Sequence, residues 1–185
     1  MPEEKTISSR YIFRGRAFSV KIDTVINAEG HETTREIVEH ADCIAVVPVN
    51  DDGDILMVKQ YRKAVGKELL EIPAGGIDPG EDPETAVKRE LQEEIGYLPG
   101  TVKRLSGFYS TPGFTNEYLH LFLATDLKRS QLYAEDTAGI ETVPIRPAEI
   151  PHLISSEEIQ DSKSVAGLLF YLELNQKKTN PQSKD

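Results

Sequence analysis

The residue pattern predicts an α/β or α+β sandwich in which helices pack on a mixed sheet, preceded by a small N-terminal β region. Three observations predict it. Residues 1–40 are built from β-branched and aromatic runs, as in "AFSVKIDTVI" and "TTREIVEH". The compact apolar runs "CIAVVPV" and "ILMVKQY" have the length of buried strands. The segment that opens at Pro83 repeats its apolar residues at Val87, Leu91 and Ile95, the recurrence of a helix with one buried stripe.

Taken in order, "NAEGHE" supplies a turn between the first strands. "NDDGD" then joins "CIAVVPV" to "ILMVKQY". It invites a calcium-loop reading, but no frame supplies alternating oxygen ligands and a closing glutamate, so a hairpin turn is expected. "LLEIPAGGIDPGEDPETA", with its repeated glycines and prolines, reads as a loop. Asp82 stands where an N-cap belongs. Pro83 takes the first helical position, where its missing N–H costs nothing. Gly96 and Pro99 are expected to end the helix. Strands follow at "VKRLSGFY" and "YLHLFLA", and helices at "PAEIPHLIS" and "SKSVAGLLFYLELN". The polar end "KKTNPQSKD" is expected to be disordered.

Composition narrows the class of function. The chain has 185 residues, 38% hydrophobic and 28% charged, with a formal net charge of −10. Such a balance is that of a soluble globular domain, and a cytoplasmic location is expected. No apolar run approaches a membrane span, and "MPEEKTISSR" lacks the apolar core of a secretory signal. The acidic pI of about 4.9 argues against a nucleic-acid backbone as partner. It does not exclude polyphosphates, provided a divalent cation mediates the contact. The single cysteine, Cys43, excludes an internal disulfide framework and leaves too few thiols for a structural zinc site, and its apolar surroundings read as those of an inert buried thiol. His40 and His120 have no partner at zinc-ligand spacing and read as structural.

The stretch "RELQEEIG" poses an electrostatic problem. On a helix, Glu90, Glu93 and Glu94 share one strip, where like charges repel. Only Lys88 and Arg89 precede them. Glu81 adds a further carboxylate at the end of a glycine-rich loop whose backbone can come close. Hard oxygen ligands converging from a helix and a loop describe a magnesium or manganese site. The charge partner of the crowded carboxylates is then not part of the chain.

These residues also carry a family resemblance. Gly75, Glu81 and the run Arg89, Glu90, Leu91, Gln92, Glu93, Glu94, Ile95, Gly96, Tyr97 fall at the spacing of the Nudix signature. The one departure is Tyr97, at a position usually aliphatic. "YIFRGRAFSV", "REIVEH", "VKQYRKAVGKELLEIPAGGIDPGED" and "YSTPGFTNE" resemble the ADP-ribose and nucleotide-sugar pyrophosphatases of that family.

The resemblance implies an α+β fold, an α/β/α sandwich with a mixed central sheet. It divides the chain into residues 1–40 (N-terminal β region), 41–176 (hydrolase domain) and 177–185 (disordered tail). It implies hydrolysis of ADP-ribose to AMP and ribose 5-phosphate by a metal-activated water. The rival readings are another nucleotide sugar, such as ADP-glucose or GDP-mannose, and a non-catalytic ADP-ribose-binding protein. Mg²⁺ is the implied cofactor, with Mn²⁺ as a substitute. Glu90 and Glu94 are implied ligands, with Glu93 and the Ala74 carbonyl supporting. Arg89 is expected to orient Glu93 or Glu94, with Glu81 behind the ligands and Gly75 and Gly96 serving the backbone. Arg35 and Arg62 are implied contacts to the diphosphate or adenosine portion, and Gly76 is an implied substrate contact. Phe18 is the candidate to stack on adenine, Pro112 marks ADP-ribose preference, and Glu117 would hold the terminal ribose. In "YAEDTAGIETV", Asp136 aligns as the catalytic base; Ala138 stands where a second, metal-binding acid is often found, so either Glu135 substitutes for that acid or the site works with fewer ions. A homodimer with exchanged N-terminal strands is implied.

Overall fold

The computed structural model describes residues 3–134 and 137–179. They fall into two compact units. The first comprises Met1–Asp42 and Phe108–Tyr118, and the second Cys43–Gly107 and Leu119–Asp185.

In the first unit, β1 (Lys5–Arg14), β2 (Phe18–Ile26) and β3 (Glu32–His40) form an antiparallel sheet in that order. The turn between β2 and β3 closes on Asn27, whose Oδ1 accepts from the backbone of Glu29 and His31, while Gly30 takes φ +85°. The segment 108–118 belongs with these strands. Phe114 O accepts from Val38 N–H at 2.8 Å, and Asn116 Oδ1 accepts from His40 N–H at 2.8 Å.

Among the described residues the second unit holds two sheets and three α-helices. One sheet has the order β10-β5-β6, from Glu141–Ile145, Ile55–Arg62 and Lys67–Glu71. The other has the order β7-β4-β9-β8, from Ala74–Gly76, Cys43–Pro48, Tyr118–Arg129 and Tyr97–Tyr109. The last two strands run into the first unit at Tyr109 and Tyr118. β4 is parallel to β9 and buried along its whole length, which explains why "CIAVVP" is a continuous apolar run rather than an alternating one.

Its residues alternate between two helical layers. Ile44 and Val46 join Phe122 and Ala124 of β9 in one cluster with Val87, Leu91 and Ile95 of α1 (Pro83–Glu94). Val47 and Leu121 lie against α3 (Ser162–Thr179). There a Cβ on Gly167 would come to 2.9 Å from Ile72 Cδ1 and 3.0 Å from Leu121 Cδ1. Helix, sheet and helix form the expected sandwich. Between β10 and α3 lie a 3-10 turn (Pro147–Glu149) and the short α2 (Ile150–Ser155). Among the described residues no helix is long and apolar enough to cross a membrane.

Four expectations need adjustment. "NDDGD" is a tight turn, with Asn50 N–H bonded to Asp54 O, but β4 and β5 share only the Val49–Ile55 bridge before entering different sheets. The stretch read as one loop contains β6 and β7, because Glu71 pairs with Val58 and Ala74 with Ala45. Pro99 lies inside β8 rather than beyond a helix stop. It is tolerated because β8 is an edge strand, where a missing N–H removes no ladder bond. The helix α3 continues to Thr179, into the stretch expected to be a disordered tail, while residues 180–185 lie outside the described ones.

Candidate functional site

The acidic helix is set by its first turn. Asp82 Oδ1 accepts from Glu84 and Thr85 N–H, both at 3.1 Å, and Pro83 fixes the entry angle. From that register Ala86, Val87, Glu90 and Leu91 face inward. Glu90 is therefore buried at the border of the apolar stripe, 9% exposed.

It lies directly over Gly75. A Cβ there would overlap the Glu90 carboxylate carbon and both of its oxygens. Only glycine lets β7 pair with Ile44 of β4 at that point and leave room for the carboxylate. One turn along, Glu94 Oε2 accepts from Ala74 N–H at 3.2 Å. Two carboxylates thus rest on two successive backbone positions of β7.

Arg89 organises the outer side. Its Nε and Nη2 grip Glu81 at 3.0 and 2.9 Å, and Nη2 also donates to Gly76 O at 2.8 Å. Nη1 donates to Glu90 at 2.6 Å and to Glu93 at 3.3 Å. Arg89 was expected to orient Glu93 or Glu94; it reaches Glu93 but not Glu94, and its shortest bond is to Glu90. Glu81 holds the other edge of the guanidinium, so it acts on the carboxylates through Arg89. That contact keeps the Glu81 carboxyl below its usual range and raises Arg89 further above its own.

The inner carboxylates behave oppositely. Burial pushes Glu90 up, opposed by Arg89. Burial, then the charge of Glu90, pushes Glu94 up to about 8, against the Ala74 N–H, Lys163 and Arg62. Two adjacent acids that resist ionising are short of positive charge, and all their donor atoms are hard oxygens. A divalent cation fits that deficit.

Arg62, Gln60, Thr137 and Ile140 line, with Glu90, Glu93 and Glu94, a cavity of about 300 Å³. A neighbouring cavity of about 480 Å³ extends from Glu93 and Glu94 to Arg129, Gln131 and Tyr133. The Arg62 guanidinium is held by Glu71, through Nε and Nη2 at 2.7 Å each. Glu71 is 1% exposed. Burial pushes its carboxyl up, but Arg62 and Lys163 outweigh burial and hold it below the usual range.

The second unit thus brings together Arg62, Ala74, Gly75, Gly76, Glu81, Arg89, Glu90, Glu93 and Glu94. Phe18, Arg35, Pro112 and Glu117 lie in the first unit. Phe18 is 41% exposed and packs on Phe13 with ring centroids 5.5 Å apart. The Arg35 fork is occupied by Glu4, at 3.1 and 2.6 Å, so an anion binding there would displace an exposed pair. Glu117 Oε1 is 3.7 Å from His40 Nδ1. Glu135 and Asp136 lie outside the described residues.

Sequence reasoning missed two groups. Gln131 Nε2 donates to Gln92 O and Glu93 O, at 3.0 and 3.3 Å, and so satisfies carbonyls at the C-terminal end of α1. Glu71 sat unremarked beside the glycine loop. Its signal was a charged residue inside the apolar run "LLEIP".

Comparison with known proteins gives consistent results. Residues 39–166 match the NUDIX domain family. The ADP-ribose pyrophosphatase of Bacillus subtilis (strain 168) is 36% identical over 94% of this chain and 95% of its own length. The methanol dehydrogenase activator of Bacillus methanolicus is 36% identical over the same shares. A GDP-mannose pyrophosphatase of Enterobacter sp. (strain 638) is 29% identical over 94% of both chains. Among solved structures, a crystal structure of an ADP compounds hydrolase superposes with a TM-score of 0.88. It covers 96% of this chain and 97% of that one at 20% identity, which establishes the fold alone.

Proposed function

The chain belongs to the Nudix hydrolase family, and from that premise we propose that it hydrolyses ADP-ribose to AMP and ribose 5-phosphate with Mg²⁺. The family generally uses divalent metal ions. The observation that carries the proposal is the buried pair Glu90 and Glu94 seated on Gly75 and Ala74, both held above the usual carboxylate range although Arg89 bonds Glu90 and Lys163 and Arg62 act on Glu94.

In this reading Glu90, Glu93, Glu94 and the Ala74 carbonyl hold Mg²⁺, and Mn²⁺ can replace it. When bound, the cation neutralises the diphosphate and lowers the pKa of a coordinated water. The chain does the rest. Arg89 keeps Glu90 and Glu93 in place, and Glu81 and Gly76 hold Arg89. Arg62 and Arg35 meet the diphosphate, a role suited to a planar guanidinium. Phe18 stacks on adenine, and Glu117, beside Pro112, accepts from the terminal ribose hydroxyls. The active form is a homodimer completed by the N-terminal strands.

The substrate assignment is tested by kcat/KM for ADP-ribose, ADP-glucose and GDP-mannose, each with and without Mg²⁺. ADP-ribose is expected to be turned over best, because a sugar without hydroxyls placed for Glu117 forgoes the hydrogen bond that the terminal ribose would make. A preference for GDP-mannose overturns the assignment. Binding of ADP-ribose without hydrolysis under any metal favours the non-catalytic reading.

Asp136 is proposed to remove the proton from the attacking water. As an aspartate it reaches less far than a glutamate would. Asp136→Asn is therefore expected to lower kcat by about ten- to a hundredfold, and Glu135→Gln by less. Full activity in Asp136→Asn with an inactive Glu135→Gln assigns the base to Glu135 instead.

A further inference from the structure

Buried beneath Arg62 is a charge arrangement that the hydrolysis mechanism leaves unexplained. One carboxylate, Glu71, faces two cations. Arg62 takes it edge-on through Nε and Nη2 at 2.7 Å. The Lys163 ammonium bonds the same Oε2 atom. Lys163 is itself largely buried, with 12% of its side chain exposed.

The lysine is delivered by the start of α3. Asp161 Oδ2 accepts from Ser164 N–H at 3.0 Å, from Ser164 Oγ at 2.6 Å and from Lys163 Nζ at 2.9 Å. Ser164 Oγ in turn accepts from Ile72 N–H at 2.8 Å, one residue past Glu71. The first turn of α3 is therefore pinned to the end of β6 at two adjacent positions. The negative charge of Asp161 sits at a helix N-terminus, where the backbone dipole stabilises it.

A single buried carboxylate needs a single cation. If Glu71 had only Arg62, the guanidinium charge would be neutralised there and its field at the cavity would be weak. With Asp161 counted the linked cluster is neutral overall, but Lys163 takes up part of the Glu71 charge, so Arg62 is less fully neutralised than it would be on Glu71 alone, beside the cavity that it lines with Glu90, Glu93 and Glu94. It also fixes the carboxylate plane, and hence the edge that Arg62 must present to it.

We propose that Lys163 is a positioning residue for Arg62. Through the shared Glu71 carboxylate it orients the guanidinium and leaves it less fully neutralised for the substrate diphosphate. The proposal rests on the reading that Arg62 meets the diphosphate.

The test is steady-state hydrolysis of ADP-ribose at saturating Mg²⁺ by Lys163→Met, Lys163→Arg, Arg62→Ala and the double variant Arg62→Ala/Lys163→Met. Lys163→Met is expected to raise KM about tenfold with kcat within about threefold of the parent, since the contact serves binding of the diphosphate. Lys163→Arg should restore KM. In the Arg62→Ala background, Lys163→Met should change KM by less than about twofold, the non-additivity of two residues acting as one. Asp161→Asn retains a side chain competent to cap α3 but removes the negative charge that competes for Lys163. It should lower KM by about two- to threefold, a direction that mere loosening of α3 does not produce.

Additive effects of Lys163→Met and Arg62→Ala overturn the proposal while leaving the Arg62 reading intact. An unchanged KM in Arg62→Ala overturns that reading and the proposal with it. Should Lys163→Met not fold, a rise in KM for Asp161→Asn refutes the charge argument by itself.

Discussion

Glu94→Gln is expected to abolish hydrolysis, lowering kcat by at least about a hundredfold, while the metal-free protein stays folded and melts no lower than the parent. Glu90→Gln should behave alike. Each substitution replaces a buried acid that the metal-free fold resists ionising with a neutral amide, so the helix loses nothing where the reaction loses its ligand. The pH dependence gives the argument a sign. In the folded, metal-free chain the Glu94 carboxyl titrates near 8, against an ordinary value of 4.5. Between those values the folded protein holds a proton that the unfolded chain has released. The contribution of Glu94 to stability is therefore fullest below about 4.5 and is lost as pH rises through about 8, at no more than about 1.4 kcal/mol per pH unit. Glu71 and Glu81, held below the usual range, act in the opposite sense but only at lower pH. Urea unfolding in the presence of a chelator, at intervals from pH 5 to 9, measures the slope. Glu94→Gln should flatten it. Turnover near the parent value in Glu94→Gln removes the metal-site reading, whatever the melts show.

Gly75→Ala should have a comparable effect on activity for a different reason. The new methyl group would occupy the place of the Glu90 carboxylate, so Glu90 must leave its position between β7 and Arg89. Displacing a reactive group by about 1 Å can cost roughly a hundredfold in rate, and the overlap here demands at least that. The sheet should survive, because the pairing of Gly75 with Ile44 uses backbone atoms. The expected result is a kcat at or below about one hundredth of the parent with a normal circular dichroism spectrum. Gly75→Ala with normal kinetics would mean that Glu90 does not need its seat on β7.

How much of this was legible beforehand depends on the range of the interaction. The α1 helix was readable because its determinants are local. Asp82 caps two N–H groups within three residues, Pro83 sets the first turn, and Val87, Leu91 and Ile95 repeat on one face. β4 was readable because a strand covered on both faces is apolar throughout. The spacing of Gly75, Glu81 and Glu90 carried the centre of the candidate site, but not the physical link between them, which is Arg89 held by Glu81 and Gly76. Pro99 was misjudged because a proline reads as a stop until the strand bearing it is known to be an edge. The Glu71–Lys163 pair joins residues 92 positions apart, and the Gln131 cap on α1 joins residues 39 apart. No periodicity or local preference encodes partners at that distance.

The backbone bonds between Val38 and the segment Phe114–Asn116 bear on how the chain is made. Residues 1–40 can form their three-stranded meander as soon as they leave the ribosome, since every pairing in it is between neighbours. The outer edge of β3 is different. The Val38 N–H and C=O wait for Phe114 O and Asn116 N–H, which have not yet been synthesised. At ~5–20 residues per second, that edge stays open for on the order of ten seconds in each nascent chain. During that interval it is an unpaired strand able to add onto another nascent chain. The charged residues Glu32, Arg35, Glu36 and Glu39 are spread along β3, and they discourage such pairing until translation has passed Asn116.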